Sequence, residues 1–142
     1  MSHPLPDLQR LVIDYLSQPG IVRGLEDMLE GTTVGGVRPT TDEDPHPYVL
    51  VLATGGPGQH DRVLYTAQIT IDCYAATSWW AGELARRVGD AVHALPSAPG
   101  PVAVVQSPAP AELPDLDTDM RRYTATYQVT AKLGASYGTD QR

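Results

Sequence analysis

Between Arg62 and Leu95 the hydrophobic period changes once, and both sides of the change are long enough to read. In RVLYTAQITIDCYA the residues Val63, Tyr65, Ala67, Ile69, Ile71, Cys73 and Ala75 alternate with Thr66, Gln68, Thr70 and Asp72. A period of two predicts a half-buried strand over 62–75, because successive side chains point to opposite faces. Beyond Ala76-Thr77-Ser78 the apolar residues fall at Trp80, Leu84, Val88, Ala91, Val92 and Leu95, with Glu83, Arg86, Arg87 and Asp90 on the other side. That is helical spacing. Thr77 or Ser78 can cap the helix by accepting from an otherwise orphan backbone N–H. The simplest way to bury the strand's apolar face and the helix's apolar stripe is against each other.

The same alternation returns in MRRYTATYQVTAKL. Tyr123, Ala125, Tyr127, Val129, Ala131 and Leu133 are expected to face the core, and Thr124, Thr126, Gln128, Thr130 and Lys132 to face away. Tyr48 to Ala53, YVLVLA, is apolar on both faces and reads as a central strand. GGPGQHD then predicts a turn into the Arg62 strand, closing an antiparallel hairpin with a longer loop. Val102 to Gln106 is a short strand between the breaker-rich 96–101 connection and a proline-rich, acidic loop over 107–119. Near the start, Pro6 and Asp7 open a helix whose apolar face is Leu8, Leu11, Val12, Tyr15 and Leu16, ended by Gln18-Pro19-Gly20. Ile21 to Leu29 is a weaker helix, lowered by Gly24. Thr32, Val34 and Val37 suggest a short strand broken at Gly35-Gly36, and 39–47 is a polar loop.

These elements define an α+β fold: a mainly antiparallel sheet of about four strands flanked by helices. The order is helix, weak helix or strand, strand, strand, helix, strand, strand. A single domain over 1–142 is expected, with a structured core over 5–133 and a flexible tail over 134–142. A chain of this size buries roughly 70% of its unfolded surface. Each of the two long strands covers about 14 residues, hence roughly 43 Å at about 3.3 Å per step. A compact domain of this length is only about 37 Å across. Either the strands bend at a bulge or the hairpin projects, and a projecting hairpin needs a partner to cover it.

Composition narrows the function. A net charge of −7 argues against tight binding of free nucleic acid, since phosphates are held chiefly by Lys and Arg. The one cysteine, Cys73, forms no internal disulfide and suits a reducing compartment. No run is long and apolar enough to span a membrane, and MSHPLPDLQR lacks the pattern of a secretory leader.

Candidate chemistry is sparse. His3, His46, His60 and His93 have no metal-ligand spacing, and Cys73 sits on the apolar side of its strand as a buried thiol. Asp115, Asp117 and Asp119 resemble the start of a calcium loop, but Met120 stands where its glycine belongs and Thr126 where its glutamate belongs. GGPGQH lacks the Lys-Ser/Thr of a phosphate loop, and Ser78 and Ser107 have no nucleophile-elbow setting. No catalytic residue, metal or cofactor is expected. The candidates are instead contact residues. One of Trp79 and Trp80 enters the core, and Trp79, at the edge of the stripe, is a plausible subunit contact. Arg86, Arg87, Arg121 and Arg122 are either solvated or form intersubunit ion pairs. His60 and Asp61 belong to the hairpin loop, and Asp115, Asp117 and Asp119 to the acidic loop, both long and exposed enough to meet a partner.

The opening PLPDLQRLVIDYLSQPGIV, the unit YTAQITIDCYAATSWWAGELARRVGDAVHAL and the closing RRYTATYQVTAKL together resemble the tail terminator proteins of long-tailed phages, particularly those infecting actinobacteria. The likeness spans about Leu5 to Leu133 and rests on element order and residue texture. It implies a small α+β protein that forms a homo-hexameric ring. The ring caps the tail tube protein, stops its polymerisation and offers a docking surface to the head–tail connector proteins. Genomic DNA would pass through the lumen without specific binding, and an acidic lumen would repel phosphate. Such a protein would be assembled in the host cytoplasm, reside in the tail or neck of the virion, and do no covalent chemistry. Two alternatives stand beside it: another neck or tail-completion protein, and a small host enzyme or ligand-binding module with a pocket between helix and sheet.

Overall fold

The computed structural model describes residues 7–22, 29, 31–37, 47–60, 64–95, 102–106, 109–113 and 120–132. The first helix, α1 (Leu8–Leu16), starts where Asp7 accepts a hydrogen bond from the Arg10 backbone N–H at 2.9 Å. It buries Leu8, Val12, Ile13 and Leu16, with Leu11 and Tyr15 half-covered beside them. Most of the weak helix expected over 21–29 lies outside the described residues, as do the tail 134–142 and the polar loop 39–46.

Six strands follow: β1 (Thr33–Gly35), β2 (Tyr48–His60), β3 (Leu64–Ala75), β4 (Val102–Gln106), β5 (Ala111–Glu112) and β6 (Arg121–Lys132). The second helix, α2 (Ser78–His93), separates β3 from β4, and Thr77 caps it by accepting from the Trp80 N–H at 3.2 Å. The sheet order is β1-β2-β3-β6-β4, with β5 on the outer edge of β6 beyond β4. The class is α+β with both helices on one face. The described residues hold six strands where about four were expected, and the sheet is mixed, because β1 runs parallel to β2.

Three differences from the sequence pattern have physical causes. First, GGPGQH is strand and not turn: β2 continues through it to His60, paired with Leu64. Two register shifts, at Ala53/Gly55 and Gly55/Gly58, each insert one extra residue of β2 against β3. Gly55, Gly56 and Gly58 have φ of 106°, 119° and 82°, a region open to glycine and strained for other residues. A Cβ on Gly56 would stand 2.8 Å from the Gln68 backbone nitrogen, so the two strands approach too closely for any side chain there. Second, the loop over 107–119 contains β5, which lends a two-residue ladder to Thr124 and Tyr123. Third, β1 ends at Gly35 and leaves Val37 outside it, 76% exposed. Gly35 has no side chain because the Tyr48 hydroxyl occupies the space a Cβ would need.

β3 and β6 each run for 12 residues where about 14 were expected, and the β2–β3 hairpin is not a free two-stranded arm. β6 pairs β3 along its whole length, from Leu64↔Lys132 to Ala75↔Arg121, with no shift in register. The two shifts against β3 add their extra residues to β2, and a third, at Val102/Val104, adds one to β4 against β6.

On the helix side, Ala67, Ile69, Ile71, Cys73 and Ala75 of β3 and Ala125, Tyr127, Val129 and Ala131 of β6 meet Ala81, Leu84, Ala85, Val88 and Val92 of α2 in one core. Burying a Leu or Val fully contributes about 1.5–3 kcal/mol each. Gly82 and Gly89 of α2 stand over the Tyr123 ring and the Tyr127 hydroxyl: a Cβ would come within 3.2 Å and 3.3 Å of them. Each glycine costs a helix about 1 kcal/mol relative to Ala. Here it makes room for a tyrosine, so the helix lies close on β6.

Candidate functional site

The residues predicted for contact fall in two places. On the outer side of α2, Trp79 is 62% exposed and meets Trp80 edge-to-face, with ring centroids 4.7 Å apart and planes at 85°. Trp80 is the half-buried member and packs on the core. Further along the helix, Arg86 Nη2 lies 2.7 Å and Arg87 Nε 3.4 Å from the two carboxylate oxygens of Glu83. The hydrogen bond from Arg86 is the main reason that the Glu83 carboxyl titrates below its usual range. Both arginines are solvated members of a pairing within one helix. Arg121 is also exposed.

Arg122 is different. It was expected to be solvated or to reach another subunit, yet its side chain is only 16% exposed. Its Nη1 lies 3.7 Å from Asp72 Oδ2, and its Nε donates to the Leu113 carbonyl at 3.2 Å. The Leu113 N–H in turn donates to the Arg122 carbonyl at 2.9 Å. Arg122 therefore ties β3, β6 and the end of β5 together inside the molecule. Asp72 Oδ1 is buried without a hydrogen-bond partner among the described residues, which makes Arg122 the main compensation for a buried carboxylate. Beside this pair Leu50, Tyr74 and Met120 form a second, smaller core, flanked by Tyr48 and Leu52. Alternation put Asp72 on the polar side of β3 with Thr66, Gln68 and Thr70; here Tyr74 and Met120 cover that end of it.

His60 is the last residue of β2 and not part of a loop, and its side chain lies outside the described ones. Asp61, Asp115, Asp117 and Asp119 also lie outside the described residues. Cys73 is buried in the main core, and burial, with Asp72 nearby, pushes its thiol far up, away from the reactive thiolate. Burial likewise raises the Tyr127 phenol to about 12. His93 is exposed on α2.

The remaining surface feature was only half legible in the sequence. The sheet face turned away from the helices carries cross-strand rows of hydroxyls and amides. Thr54, Thr70 and Thr126 bond in series across β2, β3 and β6 at 3.0 and 2.9 Å. Thr66 and Thr130 bond at 2.8 Å across β3 and β6. Gln68 and Gln128 are register partners between these threonine rows, and Gln106 of β4 is the partner of Gln128. From Thr66 to Tyr74 on β3 and from Arg122 to Thr130 on β6, the charged residues on this face are Asp72 and Arg122, which pair. The alternation gave the residue types of these rows; only the register shows that like residues line up.

Among the described residues no three His, Cys, Asp or Glu side chains come together as a metal site, and no helix is long and apolar enough to cross a membrane. A scan against protein-family models finds no match, and a search of curated proteins finds no significant one.

Proposed function

We propose that this chain is a tail terminator of a long-tailed phage: a subunit of a hexameric ring that ends the tail tube and receives the head–tail connector. The reading starts from the likeness in element order and texture. The observation that carries it furthest is the open sheet face, with its rows of Thr and Gln and its paired Asp72 and Arg122. A ring that passes DNA needs an inner surface that neither grips phosphate nor presents apolar area. Phosphate is gripped chiefly by Lys and Arg. A face of mutually bonded hydroxyls with one neutralised ion pair fits that task. On this reading the stretch of the lumen formed by Thr66 to Tyr74 and Arg122 to Thr130 carries no net charge. The helices then face outward, where Trp79, Arg86 and Arg87 are available to neighbouring subunits. The mechanism is steric: the ring occupies the growing end of the tube.

The test is electron microscopy of the purified protein, alone and added to polymerising tail tubes of its own phage. Six-fold rings seated on tube ends, with tube growth arrested, are the expected result. A twelve-fold ring, or a protein that leaves tube length unchanged, would overturn the reading.

A further inference from the structure

We propose that subunits join edge to edge: the outer side of β4 in one copy pairs with the free half of β2 in the next, so that the sheet runs on from subunit to subunit. This rests on the ring reading and supplies its junction. Pairing of β2 with β1 ends at Leu50, and the Val51 carbonyl accepts from the Gln9 side chain. Beyond Val51, no strand among the described residues pairs with the outer side of β2, and Ala53, Thr54, Gly55 and Gly56 are exposed. Across the sheet, β4 is the last strand in the order, and its outer side is likewise unpaired among the described residues. A strand edge presents N–H and C=O groups that pair readily with another chain, and free edges are commonly guarded by charge. Here ATGGPGQ and VAVVQ contain no Asp, Glu, Lys or Arg.

The two edges fit each other. The register sets Gly55, Gln68, Gln128 and Gln106 in one line across the sheet, and Gly58, Thr66, Thr130 and Val104 in another. The free half of β2 and β4 therefore end the same band of sheet at the same height. Three antiparallel pairings separate them, so β4 runs opposite to β2. A copy set beside the first by rotation about an axis along the strands keeps every strand direction, and its β2 meets β4 antiparallel. The same step keeps the hydroxyl and amide rows on one side and the helices on the other. A Cβ on Gly55 or Gly58 would meet no described atom, which leaves room for another backbone beside them. Pro57 has no N–H to give, so the ladder forms on either side of it. The occupant is a second copy because each chain carries one edge of each kind. Head-to-tail repetition uses both and closes a ring with neither left over, whereas a foreign strand, or β4 on β4 about a two-fold axis, leaves the β2 edge open.

The experiment uses the full-length protein, sized by sedimentation velocity, and reads backbone amide exchange by mass spectrometry. The assembly is compared with the double variant Thr54→Lys/Gln106→Lys, which sets like charges on both sides of the junction and should stay monomeric with an unchanged circular dichroism spectrum. Wild-type protein diluted until it dissociates gives the same comparison without a substitution. Amides of 53–60 and 102–106 should exchange roughly tenfold or more slowly in the assembly than in the monomer. Rings slowed at neither edge, or at one edge only, overturn this junction and leave the ring reading standing. Rings that form unchanged with both lysines in place do the same. A wild-type chain that stays monomeric overturns both.

Discussion

The three central strands build two unlike faces from one alternating pattern. The side toward the helices gathers Ile69, Ile71, Val129 and Tyr127 under Leu84, Val88 and Val92. The side away from them sets Thr on Thr and Gln beside Gln in register. Apolar burial is proportional to area and barely directional, so the first face fixes that the layers stack. Hydrogen bonds between side chains in register contribute little each, but they are satisfied only when the strands are correctly aligned. One face supplies most of the stability, and the other marks the register and stays compatible with water.

Substitutions on the two faces should separate these roles. Leu84 is fully buried at the centre of α2's core stripe, and Leu84→Ala is expected to cost about 3–5 kcal/mol in urea unfolding. A loss under about 1 kcal/mol would mean that α2 is not packed on β3 and β6 as described. Arg122→Ala tests the Asp72–Arg122 ion pair. It strands Asp72 in a mostly buried site, and after discounting for partial exposure the expected loss is about 2–3 kcal/mol. Arg122→Ala combined with Asp72→Leu should recover most of it, since removing both partners removes the uncompensated charge. Thr126→Val cuts the threonine series at its outer end while keeping shape and strand propensity. Its cost should stay within about 0.5 kcal/mol, with an unchanged denaturant slope. A loss as large as that at Leu84 would show that the open face is covered in the folded protein.

How much of this was readable beforehand depends on whether a feature is local. β3, α2 and β6 follow from period alone, and Ile69, Ile71, Cys73, Tyr127, Val129, Leu84, Val88 and Val92 are buried where it puts them; the burial of Tyr74 and Asp72 on the other face is not in the period. The distal half of β2 was not readable, because Gly-Gly-Pro-Gly is the composition of a turn. It serves as strand only through two bulges and three positive-φ glycines, whose need arises from how closely β3 approaches. The three-residue β1 offers too few positions for a period, and its parallel direction is a property of the assembled sheet. Among contact residues, Trp79, Arg86, Arg87 and Arg121 lie on the surface. Arg122 does not, because its partner Asp72 is fifty residues away in the chain and meets it only when β3 and β6 are in register.

That register also bears on the order of folding. β6 follows the other five strands in sequence, yet it sits inside the sheet between β3 and β4. Its first pair with β3, Ala75↔Arg121, closes a span of 46 residues, and its last, Leu64↔Lys132, one of 68. The β2–β3 hairpin and α2 can form from neighbouring residues, but β6, an inner strand, must wait for a long loop to close. Folding of this topology is therefore slow relative to its size. Until β6 docks, β3 presents a twelve-residue open edge. A nascent or heat-stressed chain would be most prone to wrong strand pairing at that edge, in the middle of the finished sheet.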